Sequence, residues 1–86
     1  MTKKTRILNS LESIGILFDR ITDDESYEVT MPFIRFTLDD KVRRLVKDLP
    51  FAKDILELLD CTIAYSDDAN AFSYAFEDLY NAVICL

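Results

Sequence analysis

The chain has no histidine, no tryptophan, one glycine, two prolines and two cysteines among its 86 residues. Each shortage removes a class of chemistry. Without histidine, the side chain most used for general acid–base work is missing. Gly15 stands alone, so no glycine-rich loop can cradle a phosphate. Serines and threonines are scattered, with no strained nucleophile turn around them. Cys61 and Cys85 form neither a CxxC pair nor a cysteine–histidine spacing for zinc. Lying among apolar residues, they are expected as buried, reduced thiols. Carboxylate doublets occur at Asp23-Asp24, Asp39-Asp40, Asp67-Asp68 and Glu77-Asp78. Adjacent residues diverge on a helix or a strand, and no EF-hand pattern surrounds any doublet. The expectation is a protein with no catalytic residues, no cofactor and no metal.

Positive charge is the second shortage. After Lys53 there is no Lys or Arg, while the last 33 residues carry seven carboxylates: Asp54, Glu57, Asp60, Asp67, Asp68, Glu77 and Asp78. The formal charge is -6, distributed as +2 over residues 1–20, -5 over 21–40, +1 over 41–60 and -4 over 61–86. Such a balance favours solubility and opposes general affinity for nucleic acid or anionic membranes. No apolar run approaches the roughly 18 residues of a membrane span. Lys3, Lys4 and Arg6 precede Ile7 and Leu8, but Asn9 and Glu12 interrupt what would be a signal-peptide core. The expected location is cytoplasmic.

What the chain does have is apolar residues, half of the total. That excludes wholesale disorder and suits one small domain over residues 1–86. Ile7, Leu8, Leu11 and Ile14 recur at helical spacing, with Thr2 or Thr5 as cap and Gly15 as a left-handed stop. Ile16 to Ile21 is rich in strand formers. Thr22 to Ser26 then has the length of a hairpin loop, and Tyr27, Val29 and Met31 alternate with polar residues. Pro32 and a phase slip to Ile34, Phe36 and Leu38 suggest a bulged edge strand.

Thr37 with Asp40 resembles a capping box for a helix over about 38–48, which Pro50 ends. A third helix restarts near residue 51 and buries Phe51, Ile55, Leu58 and Leu59. A last one runs from about 69 with Phe72, Phe76, Leu79 and Val83 in a stripe, capped from Ser66, Asp67 or Asp68. The predicted fold class is α+β: a helix, a β-hairpin and three helices, with the strongly apolar C-terminal helix in the core.

The basic cluster Lys41, Arg43, Arg44 and Lys47 is read as helix-surface pairing, because Asp39–Arg43 and Asp40–Arg44 are spaced i,i+4 with the acid first. No aromatic interleaves these bases as a nucleic-acid platform requires, so no direct nucleic-acid contact is expected. Exposed tyrosines beside carboxylates are a common makeup of protein-binding patches. The candidate protein-binding residues are therefore Asp23, Asp24, Glu25, Glu28, Asp67, Asp68, Tyr74, Glu77, Asp78 and Tyr80. Two functions follow. One is a small acidic inhibitor or regulator that blocks a basic, nucleic-acid-binding protein with a partly DNA-mimicking surface. In size and charge it is similar to phage-encoded inhibitors, a likeness of composition alone. The other is a homodimer paired through the apolar C-terminal helix.

Overall fold

The computed structural model describes residues 2–86 and contains helices with no strand among them. Helix α1 spans Lys3–Asp19, α2 Asp24–Phe36, α3 Arg43–Val46, α4 Ala52–Ala64 and α5 Ala69–Ile84; a π-helical turn, Thr37–Val42, joins α2 to α3. The expected β-hairpin is absent, and the α+β reading is corrected to an all-helical fold.

Each local signal behind the hairpin has a helical explanation. Gly15 does not stop α1, since no glycine takes a positive φ. The helix instead runs on through Ile16, Leu17 and Phe18. Ile7, Leu11 and Ile14 are buried and Phe18 packs against them, a 4-3-4 spacing that keeps one helical face on the core. The supposed loop is a helix start. Asp23 accepts from the Ser26 amide at 2.8 Å, and Ser26 Oγ accepts in return from the Asp23 amide at 3.2 Å. Asp24 and Glu25 follow in the first turn, where the helix dipole favours negative charge. The alternation of Tyr27, Val29 and Met31 is accidental: Met31 is buried, while Val29 is 73% exposed. Pro32 sits inside α2 on its outer side. The Glu28 carbonyl that it leaves without a donor lies beside an exposed residue, within reach of water.

The phase slip is real and belongs to the π turn. Ile34, Leu38, Val42 and Val46 are all fully buried at strict four-residue intervals. On an α-helix each four-residue step drifts by about 40°, so three steps would carry Val46 roughly 120° off the core face. Widening one turn to i→i+5 bonding takes up that drift. Asp24 to Val46 thus forms one continuous rod, roughly 34 Å long by its rise, in a molecule of 38 × 23 × 20 Å. The Thr37–Asp40 cap is consequently not made; Thr37 Oγ1 donates to the Phe33 carbonyl at 2.9 Å.

The rod ends before Pro50. Phe51 then takes a left-handed φ of 61° ahead of α4 and stands 79% exposed, where burial was expected. The fold accepts that strain to reverse the chain within five residues. The two expected i,i+4 pairs are present, Arg43–Asp39 at 2.9 Å and Arg44–Asp40 at 2.7 Å. Arg43 also reaches Asp60 of α4 at 2.7 Å. Both cysteines are free and exposed, not buried. No helix among the described residues is long and apolar enough to cross a membrane.

Candidate functional site

Helices α1 and α5 lie antiparallel, and four contacts fix their register. Lys4 Nζ donates to the Ile84 carbonyl at 2.7 Å, and Tyr80 Oη donates to Glu12 Oε1 at 3.1 Å. A side chain on Gly15 would meet Phe76, and the rings of Phe18 and Phe72 stand 5.0 Å apart. This pairing sets the C-terminal end of α1 beside the N-terminal end of α5.

Helix α2 starts at the same end of the molecule. Tyr27 Oη donates a short hydrogen bond to the Ser66 carbonyl. Ser66 is buried; its hydroxyl donates to the Ile63 carbonyl at 2.7 Å and accepts from Arg35 Nη1 at 3.3 Å. Asp19, Asp23, Asp24, Glu25, Asp67 and Asp68 are thereby gathered at one end, from three separate stretches of sequence. The other end is basic. It carries Lys3, Lys4, Arg6, Lys47 and Lys53, and Lys3 reaches Asp48 at 3.5 Å. Net charge alone conceals this polarity.

Burial pushes the Tyr27 phenol above its ordinary value of 10.0; Arg35 opposes the rise, and the carboxylates of Asp67 and Asp68 add to it. The neutral phenol is therefore favoured by folding. Its stabilisation is complete below pH 10 and is lost as pH rises through the folded value. Tyr27→Phe is expected to cost about 1 kcal/mol at neutral pH and to flatten the alkaline arm of a stability–pH profile. Urea midpoints measured at pH 7, 9.5 and 11 check both effects.

The expected binding residues fall into three groups. Asp23 and Asp68 are helix caps: the Ser26 amide and hydroxyl hold the Asp23 carboxyl below its ordinary 3.8, and Asp68 accepts from the amides of Asn70 and Ala71. Asp24, Glu25 and Asp67 are exposed at the acidic end, and Glu28 is exposed further along α2. The α5 residues separate. Tyr74 and Asp78 turn toward α4 and line a shallow cleft with Cys61 and Tyr65. Glu77 and Tyr80 turn toward α1. The single patch of Tyr74, Tyr80, Glu77 and Asp78 is thus two flanks of one helix.

The α1–α5 flank has the more developed shape. It is a groove of about 550 Å³ with Ile16, Phe72 and Phe76 among its apolar lining and Glu12, Asp19 and Glu77 as its charged groups. No Lys or Arg lines it among the described residues. Gly15 widens it, because that position puts no side chain between the helices. Tyr80 closes one end, its phenol held above 10.0 chiefly by the hydrogen bond to Glu12. Sequence reading missed Ile16 and Asp19 because it ended the first helix at Gly15. The usable signal was the continued 4-3-4 spacing through Phe18, which makes Glu12, Gly15, Ile16 and Asp19 one outward strip at helical intervals.

The described residues contain no group of three His, Cys, Asp or Glu side chains placed to hold a metal ion. Comparison with family models, with curated proteins and with solved structures finds no match to this chain.

Proposed function

We propose that this protein is an acidic protein-binding module whose α1–α5 groove receives a basic, amphipathic segment of a partner protein. The observation that supports the reading is the groove itself: an apolar lining rimmed by three carboxylates, with no cation of its own. Apolar side chains of the partner would enter against Ile16 and Phe76, and flanking Lys or Arg would meet Glu12, Asp19 and Glu77. The acidic end adjoins Asp19 and extends the same field, which speeds encounter more than it strengthens the bound state. A partner that uses such a basic segment to hold nucleic acid would be blocked, so inhibition is the natural consequence of binding. Pairing through α5 has less support, since Phe72, Leu79 and Val83 are buried and its exposed Tyr74 and Ile84 stand apart among Ser73, Glu77, Asp78 and Asn81.

A leucine–lysine amphipathic peptide titrated into isotopically labelled protein provides the test. Amide shifts are expected to concentrate at Gly15, Ile16 and Phe76. Asp19→Lys/Glu77→Lys should weaken binding at least about tenfold at low salt. Ile16→Asp should weaken it at both low and high salt, because apolar contact is not screened. Shifts confined to the acidic end, or affinity indifferent to both variants, would remove the groove from consideration.

A further inference from the structure

Helix α2 carries an apolar face that none of the described residues covers. Val29, Phe33 and Phe36 are 73%, 60% and 66% exposed, and Pro32 beside them is also exposed. At 100° per residue the four fall within about 100° of arc along roughly 10 Å of helix. Exposed area of that kind is on the order of 400 Å², within the roughly 300–600 Å² of the largest, often functional, patch on a monomer. Neither the core nor the α1–α5 groove uses it.

We infer that this face is the contact surface for a second copy of the chain, two α2 helices packing antiparallel about a two-fold axis. The stripe is self-complementary in one register. With the axis between residues 32 and 33, Val29 of one copy lies opposite Phe36 of the other, and Pro32 opposite Phe33. The same register aligns charge. Glu28 and Arg35 are seven residues apart, so they occupy the same edge of α2, about 20° apart. In an antiparallel two-fold pair like edges face each other. Glu28 of one copy then stands about 3 Å along the axis from Arg35 of the other, and symmetry makes the pair twice. A parallel two-fold arrangement would set the two Glu28–Arg35 edges on opposite sides of the contact and make no such pair. Among the described residues Arg35 makes the long 3.3 Å bond to Ser66 Oγ and lies near the Tyr27 phenol, while Glu28 is exposed. Two apolar stripes supply on the order of 800 Å², to which the flanking polar residues of both copies would add toward the range of about 1,200–2,000 Å² typical of stable pairs.

Sedimentation velocity of the full chain from about 5 μM to 0.5 mM, with Phe33→Asp, Glu28→Arg and the exchange Glu28→Arg/Arg35→Glu, provides the test. The wild type is expected to pass from the 10.0 kDa monomer to a dimer. Phe33→Asp should weaken association at least about 30-fold with an unchanged helical circular dichroism spectrum, since its side chain lies outside the core. Glu28→Arg should weaken it about tenfold and the exchange should restore it to within about threefold. A strict monomer at the highest concentration overturns the inference. So does a dimer indifferent to Phe33→Asp, or an exchange variant no better than Glu28→Arg.

Discussion

Phe72→Ala is expected to lower the unfolding free energy by about 3–5 kcal/mol, the largest loss available from one side-chain truncation in this molecule. Phe72 is fully buried and is the largest side chain in the core. Its ring lies 5.0 Å from Phe18 of α1 and 5.7 Å from Phe76 of its own helix. Removing it opens a void at the junction of α1 and α5, and neither neighbour can close it without leaving its own packing. Aromatic contact adds to the loss from apolar area. A domain of this length has roughly 4–13 kcal/mol in total, so the variant stands near the edge of unfolding at 37 °C. Urea denaturation at 10 °C should show a large drop in midpoint with an unchanged slope. Tyr74→Ala, at a position 73% exposed on the same helix, should change the unfolding free energy by no more than about 0.5 kcal/mol. Equal losses at the two positions would mean that α5 is not docked through the Phe72 face.

The helical part of this fold was legible where apolar residues keep one periodicity to the end of the element. The α5 stripe of Phe72, Leu79 and Val83 is of that kind, as is the i,i+4 pairing of Asp39 and Asp40 with Arg43 and Arg44. The hairpin reading failed where short-range rules outvoted a longer period. Gly15 was given a stop role that glycine takes at positive φ, but it sits in helical backbone facing Phe76. Pro32 with the phase slip suggests a bulged edge strand, yet on the solvent-facing side of α2 a proline fits a helix, its neighbouring carbonyl lying within reach of water. Asp23 with Ser26 is a capping pair in which serine replaces the usual glutamate, so the motif was overlooked.

The candidate surface was legible in its residue types but not in its grouping. Asp68 was legible as a cap from its place ahead of the last helix, whereas that Glu77 and Asp78 face different helices depends on how α1, α4 and α5 pack. Periodicity of a single segment does not contain that information. The same holds for the gathering of Asp19, Asp24 and Asp67 at one end. It is made by Tyr27 reaching Ser66 across 39 positions of sequence.

Deletion of Asp39 is expected to leave the fold intact, whereas deletion of Glu57 is expected to abolish cooperative folding. The π turn holds one residue more than an α-helical path between the same two flanks requires. Removing exposed Asp39 converts the spacing of Ile34, Leu38, Val42 and Val46 from 4-4-4 to 4-3-4, the interval an α-helix keeps on one face. The lost Asp39–Arg43 pair is exposed and worth only about 0.2–0.5 kcal/mol, and Arg43 retains Asp60. Helix α4 has no such spare residue. Taking out Glu57, equally exposed, turns Leu59 and Thr62 by about 100° relative to Ile55. All three are buried, so Leu59 would leave the core and a charged neighbour would enter it. Thermal unfolding followed by circular dichroism separates the outcomes. The Asp39 deletion should melt within a few degrees of the parent with undiminished helicity, while the Glu57 deletion should lose its sharp transition. If both deletions unfold the protein, the wide turn is not a spare residue but a feature that the packing of α2 and α3 against α1 requires.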